Sequence, residues 1–140
     1  MVQITIDYAG DLRCEAVHGP SGKSLHTDAP VDNQGRGESF SPTDLLATSL
    51  GSCMLTIMGI AAAERGWELR GTRVTVVKHM AADPRRRVAK LEVTMEIPGD
   101  FDERQRKVLE EAARTCPVTQ SLAERLEVVL EMRWGKTVPR

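Results

Sequence analysis

Hydrophobic and polar residues alternate from the first positions of the chain. Val2, Ile4, Ile6 and Tyr8 share one face of a predicted strand, and "AGD" turns the chain after it. In "LRCEAVH", Leu12, Cys14 and Ala16 point one way, Arg13 and Glu15 the other. "GPSG" predicts a second turn, and Lys23 to Thr27 a third short strand. Asp28 to Phe40 is polar and holds two glycines, which predicts a loop.

The pattern then changes to that of a helix with full punctuation. Ser41 is placed to cap it, Pro42 suits the first helical position, and Asp44 completes a capping box three residues after Ser41. Gly66 ends it, giving about 24 residues and about 36 Å at a rise of about 1.5 Å each. The run Leu45–Ala63 carries no charge, so it must be weighed as a membrane span. Thr48, Ser49, Gly51, Ser52, Thr56 and Gly59 interrupt it and strand patterns flank it. A helix buried in a core or interface explains the same composition better. Ala47, Gly51, Gly59 and Ala63 would allow another helix to approach closely.

"TRVTVVKHM" and "RRRVAKLEVTMEIP" predict an antiparallel pair joined around Asp83-Pro84, with Leu91, Val93, Met95 and Ile97 facing inward. Asp102 and Gln105 open a second helix, buried through Val108, Leu109, Ala112 and Ala113. "CPVTQSLAERL" restarts a short helix at Pro117. In "LEVVLEMRW", Leu126, Val128, Leu130, Met132 and Trp134 lie on one side. The predicted order is β-β-β-α-β-β-α-α-β. Without regular βαβ alternation it belongs to the α+β class, as a single domain over residues 1–140.

Composition narrows the function. The chain is 41% hydrophobic but only 4% aromatic, so aliphatic residues must build the core. A formal net charge of −1 leaves no basic excess for a nucleic-acid backbone. No signal-type apolar run opens the chain, and three scattered cysteines make no disulfide scaffold. A reducing, cytoplasmic compartment is the simplest expectation. "GPSGKS" lacks the first glycine of a phosphate-binding loop, since Val17 stands there, and is read as a hairpin turn. His18, His26 and His79 lie on separate predicted strands without metal-type spacing, and no Gly-x-Ser-x-Gly elbow occurs.

The cysteines carry the remaining chemistry. Cys14 alternates inward as a small core residue. Cys116 precedes Pro117, which places it at or next to a helix start; there it is either a thiolate favoured by free N–H groups or a semi-buried cap or core residue, and sequence context weighs the two evenly. Cys53 lies about three turns into the long helix, on a stripe with Leu46, Ser49, Leu50, Thr56, Ile57 and Ile60. By itself it reads as core, and as a nucleophile it would need a partner from elsewhere, with Arg13 and Arg36 the upstream donors. As a pair, Cys53 and Cys116 suit a two-thiol cycle of sulfenic acid and disulfide, provided they approach in space.

"SPTDLLATSLGSCMLTIM" followed by "RTCPVTQSL" resembles the OsmC/Ohr family of osmotically inducible and organic-hydroperoxide-resistance proteins, over nearly the whole chain. The resemblance implies an OsmC-like α+β fold, with antiparallel sheets wrapped around a long central cysteine-bearing helix. It implies an intertwined homodimer with two active sites at the subunit interface. It further implies thiol-dependent reduction of hydroperoxides, organic ones preferred, without metal, haem or other cofactor, and recycling by a small or protein-bound dithiol. By position Cys53 would be the peroxidatic thiol and Cys116 the resolving one, with Leu, Ile and Met side chains forming an apolar pocket. The family's glutamate ten positions before the first cysteine is replaced by Thr43, with Asp44 one position later. Asp44 would point about 180° from Cys53 on a straight helix, so it would serve a site only across an interface. Arg13 and Arg36 are the candidates for the thiolate-stabilising arginine. "NQGRGESFSPTDLL" looks like a divergent OsmC-like branch, for which the alternative function is a non-enzymatic redox-responsive or ligand-binding dimer.

Overall fold

Three strands open the chain: β1 (Ile4–Gly10), β2 (Arg13–His18) and β3 (Ser24–Asp28). They form an antiparallel sheet in that order, with Ile6 opposite Ala16 and Ala16 opposite Leu25. Gly10, Asp11 and Leu12 all take positive φ in the first turn. Leu12 is therefore part of the turn and does not share the Cys14 face, as alternation alone had suggested. The "GPSG" turn forms as expected, with the Gly22 N–H donating to the His18 carbonyl at 2.8 Å. Ile4, Ile6 and Tyr8 do share a face, but it is 57–67% exposed.

The computed structural model describes residues 1–135. They fall into two compact units, Met1–Leu46 and the chain from Ala47 onward. In the first unit the polar loop is anchored at its base. Asp28, 1% exposed, accepts the Glu38 N–H at 3.0 Å. The Arg13 guanidinium lies 3.6 Å from the Asp28 carboxylate and also bonds Glu38.

The long helix α1 (Pro42–Ala63) begins with the expected box. The Asp44 carboxylate accepts the Ser41 N–H at 2.9 Å, and the Ser41 hydroxyl accepts the Asp44 N–H at 3.1 Å. Its regular turns stop at Ala63, three residues short of Gly66, and a tightened turn finishes it. Trp67 N–H reaches the Ala62 carbonyl at 2.9 Å and Gly66 N–H the Ala63 carbonyl at 3.2 Å, with Gly66 at φ 70°. By length and composition α1 could cross a membrane. Here Ala47, Leu50, Gly51, Met54, Met58 and Ala62 form a buried stripe. Thr48, Ser52, Thr56 and Ile60 are exposed on the other side. The Ser52 and Thr56 hydroxyls bond the carbonyls four residues back, at 2.7 and 2.8 Å.

The second unit holds β4 (Arg73–Ala81), β5 (Arg87–Ile97), α2 (Glu103–Arg114), α3 (Pro117–Ser121) and β6 (Glu127–Trp134). The element order is the predicted one. The sheet is mixed, however: β4 pairs antiparallel with β5, and β5 pairs parallel with β6. Parallel neighbours need a long crossover, and α2 with α3 supplies it. Leu91, Val93, Met95 and Ile97 are at most 1% exposed and meet the α1 stripe, Leu109 and Ala113 in the core. Val88 is also buried because pairing skips Ala89, a bulge that returns its side chain to the inner face. Asp102 and Gln105 close a capping box on α2. Val108 and Ala112 are only half-buried, along an open groove.

Gly51 corrects one expectation. A Cβ placed there would lie 2.9 Å from Val76 and 3.2 Å from Val74. The small residue serves close packing of α1 on its own β4, as buried Ala47 serves the same core, and neither is free for a second helix.

Candidate active site

Cys116 caps α3 with extended backbone (φ −62°, ψ 149°), followed by Pro117 at the first helical position. Proline fits there because that N–H has no intrahelical partner. The side chain is fully buried. Its sulfur accepts the Thr119 N–H at 3.5 Å and lies 3.2 Å from the Thr119 hydroxyl oxygen.

Cys53 sits half-buried on the flank of α1, between the buried stripe and the exposed face. Two neighbours and the burial of the site act on its sulfur. Burial is the largest influence and pushes the thiol above its ordinary pKa, because a charged sulfur loses solvation there. The backbone N–H of Val118 hydrogen-bonds to the sulfur and acts the other way. The Cys116 side chain interacts directly with Cys53 and adds to the upward shift.

The first turn of α3 therefore serves both thiols. The amide of Thr119 goes to Cys116 and that of Val118 to Cys53. These are among the N–H groups that a helix start leaves without intrahelical partners. Both cysteines are reduced. The arrangement can stabilise a sulfur anion by amide donation and can pass oxidation from one sulfur to its neighbour.

The other candidates lie in the first unit, each with a local role. Arg13 is committed to Asp28 and Glu38, and the hydrogen bond with Glu38 is the leading cause that raises its already high pKa. Arg36 is exposed on the loop. Asp44 caps α1. Among the described residues, none of the influences on the Cys53 thiol is cationic. An apolar groove along α1 begins one turn beyond Cys53, between Ile57, Ile60 and Ala61 and the Val108–Ala112 side of α2. Val118 and Thr119 were not singled out from sequence. The Thr119 hydroxyl had a usable signal, since "CPVT" puts a hydroxyl residue three positions after a capping cysteine.

The model of the OsmC-like protein family matches residues 35–131. A solved structure from Psychrobacter arcticus 273-4, named as a candidate osmotic stress induced and detoxification response protein, is 45% identical. It covers 95% of this chain and 96% of its own, with a TM-score of 0.90. An organic hydroperoxide resistance protein from Elizabethkingia anophelis is 17% identical over 94% of each chain, with a TM-score of 0.75. An OsmC-like protein from Mycoplasma pneumoniae is 15% identical over 96% of each, with a TM-score of 0.78. These last two share the fold. Comparison with curated proteins gave no match.

Proposed function

Because this chain belongs to the OsmC-like family, we propose that it is a thiol-dependent peroxidase for organic hydroperoxides. The observation that carries the reading is the contact between Cys53 and Cys116 over one turn of donated amides. The Cys53 thiolate attacks the outer peroxide oxygen; the O–O bond breaks and the alkoxide leaves, taking a proton to become the alcohol. Cys53 is then a sulfenic acid. Cys116 attacks its sulfur, water leaves, and a disulfide forms. A dithiol supplies two electrons and two protons to restore both thiols. Val118 N–H supports the thiolate before attack. No cofactor enters this cycle, and a reducing compartment suits it.

A homodimer is part of the proposal. Ile4, Ile6 and Tyr8 form an apolar strip on β1 that the protomer leaves uncovered, and a second copy would remove it from water. The Ile6→Asp variant should elute at monomer mass in gel filtration where the parent elutes as a dimer. Equal elution of both at monomer mass would reject the dimer.

The peroxidase test is consumption of cumene hydroperoxide coupled to dithiothreitol. The Cys53→Ser variant should lose it, and unchanged turnover would reject the nucleophile. One observation favours a second reading, a slowly responding redox dimer: burial raises the Cys53 pKa, and among the described residues no cation offsets it. Slow or scattered oxidation by one equivalent of peroxide, mapped by mass spectrometry, would select that reading.

A further inference from the structure

The β4–β5 hairpin carries "DPRRR" at its tip, Asp83 to Arg87. Because β5 and β6 run parallel, with Lys90 opposite Glu127, their starting ends lie together. Arg125, two residues before β6, is thereby brought beside the hairpin tip. Pro84, Arg85, Arg86, Arg87 and Arg125 enclose a cleft of about 380 Å³. Among the described residues, no carboxylate lines it.

We propose that this cleft is a binding site for a small polyphosphate anion, such as the phosphate tail of a nucleotide. Four arginines line this one cleft in a protein whose formal net charge is −1. Arg85 and Arg125, for which no ion pair is found among the described residues, place like charges at one cleft, which is unfavourable unless an anion offsets it. Guanidinium forks match phosphate oxygens in pairs, which lysines cannot do. Arg87 is half-buried, and its Nη1 donates to the Asp83 carbonyl, which holds the tip in shape. Arg85 and Arg125 are exposed and have no ion-pair partner among the described residues. The volume falls in the range of small-molecule sites, about 300–1,000 Å³. A nucleic-acid surface would need a basic stripe that follows the backbone, and the composition supplies no such excess. The site is separate from the two thiols, so its test does not depend on peroxidase activity.

The test is calorimetric titration of the full chain with pyrophosphate and with ATP at about 150 mM salt. Saturable binding of one anion per chain is expected, weakening as salt rises. The Arg85→Ser/Arg125→Ser variant, with an unchanged melting temperature, should bind at least about tenfold more weakly, or ~1.4 kcal/mol. The Arg85→Lys/Arg125→Lys variant keeps the charge and guards against a folding artefact; it should bind between the two. Absence of saturable binding, or equal binding by parent and serine variant, overturns the proposal. Tighter binding of a single-stranded oligonucleotide, growing with its length, would overturn it in favour of a nucleic-acid surface.

Discussion

The Val118 backbone N–H donates to the Cys53 sulfur. The donor belongs to the first turn of the short helix that Cys116 caps, so one turn of backbone positions both thiols. The contact opposes the effect of burial, and it sets the balance that the following experiments measure.

Reactivity of Cys53 should rise with pH. Burial, the larger influence, raises its pKa, so the thiol form dominates at neutral pH. Below that pKa the thiolate fraction grows about tenfold per pH unit. Alkylation of the Cys116→Ser variant should therefore keep rising past about pH 8.5, the ordinary thiol value. A plateau on the acid side of that value would show a depressed pKa and contradict the assignment of burial as dominant.

In the same Cys116→Ser variant, one equivalent of peroxide should leave a sulfenic acid at Cys53, trapped by dimedone and located by mass spectrometry. The parent should give the Cys53–Cys116 disulfide instead. Equal dimedone labelling of both would remove Cys116 from the resolving role.

The Thr119 hydroxyl oxygen lies 3.2 Å from the Cys116 sulfur. The Thr119→Val variant keeps the shape and the backbone donor but loses that contact. Disulfide closure should slow about fivefold, matching ~1 kcal/mol for one hydrogen bond. Cys53 alkylation should be unaffected. Rapid-quench measurement of closure separates this from a purely structural effect, which would lower the melting temperature and leave the rate alone.

Two glycines of α1 should respond with opposite sign. A Cβ at Gly51 meets Val76 at 2.9 Å, whereas at Gly59 nothing lies within 4 Å. Gly51→Val should destabilise by about 1–3 kcal/mol through overpacking. Gly59→Ala should stabilise by about 0.5–1 kcal/mol through helix propensity. Urea unfolding measures both.

Asp28 should contribute stability that disappears in acid. The Glu38 N–H is the leading cause of its lowered pKa; burial opposes this, and Arg13 reinforces it. A carboxyl with a depressed folded pKa stabilises fully above its unfolded value near 3.9, and the contribution is lost as pH falls through the folded value. The Asp28→Asn variant should be less stable than the parent at neutral pH and should converge with it as pH falls through the lowered folded value. A constant difference across that range in thermal unfolding would count against the ionic anchor.

Much of the architecture was legible because it is local. Ser41 and Asp44, or Asp102 and Gln105, announce helix starts within four residues. Leu91, Val93, Met95 and Ile97 declare an inner face by their spacing. The parallel pairing of β5 with β6 was not legible, since Val128 and Leu130 alternate in either direction of pairing. Nor was the Ala89 bulge, which depends on the partner strand. Cys53 and Cys116 could be chosen as a pair, but their contact and the Val118 amide depend on how the crossover packs against α1. The exposure of Ile4, Ile6 and Tyr8 also contradicts what alternation alone suggests, because periodicity identifies an apolar face without showing what covers it.

The parallel strand pairing has a consequence for when the chemistry can begin. Cys116 rides on the connection between β5 and an edge strand held by a single neighbour. During synthesis the Cys53 sulfur emerges long before β6 can close that loop, so on the proposed cycle an oxidant arriving early finds a lone thiol without its resolving companion. On that proposal the chain would gain protection from over-oxidation only when β6 docks, and any later fraying of that edge would return it to the unprotected condition.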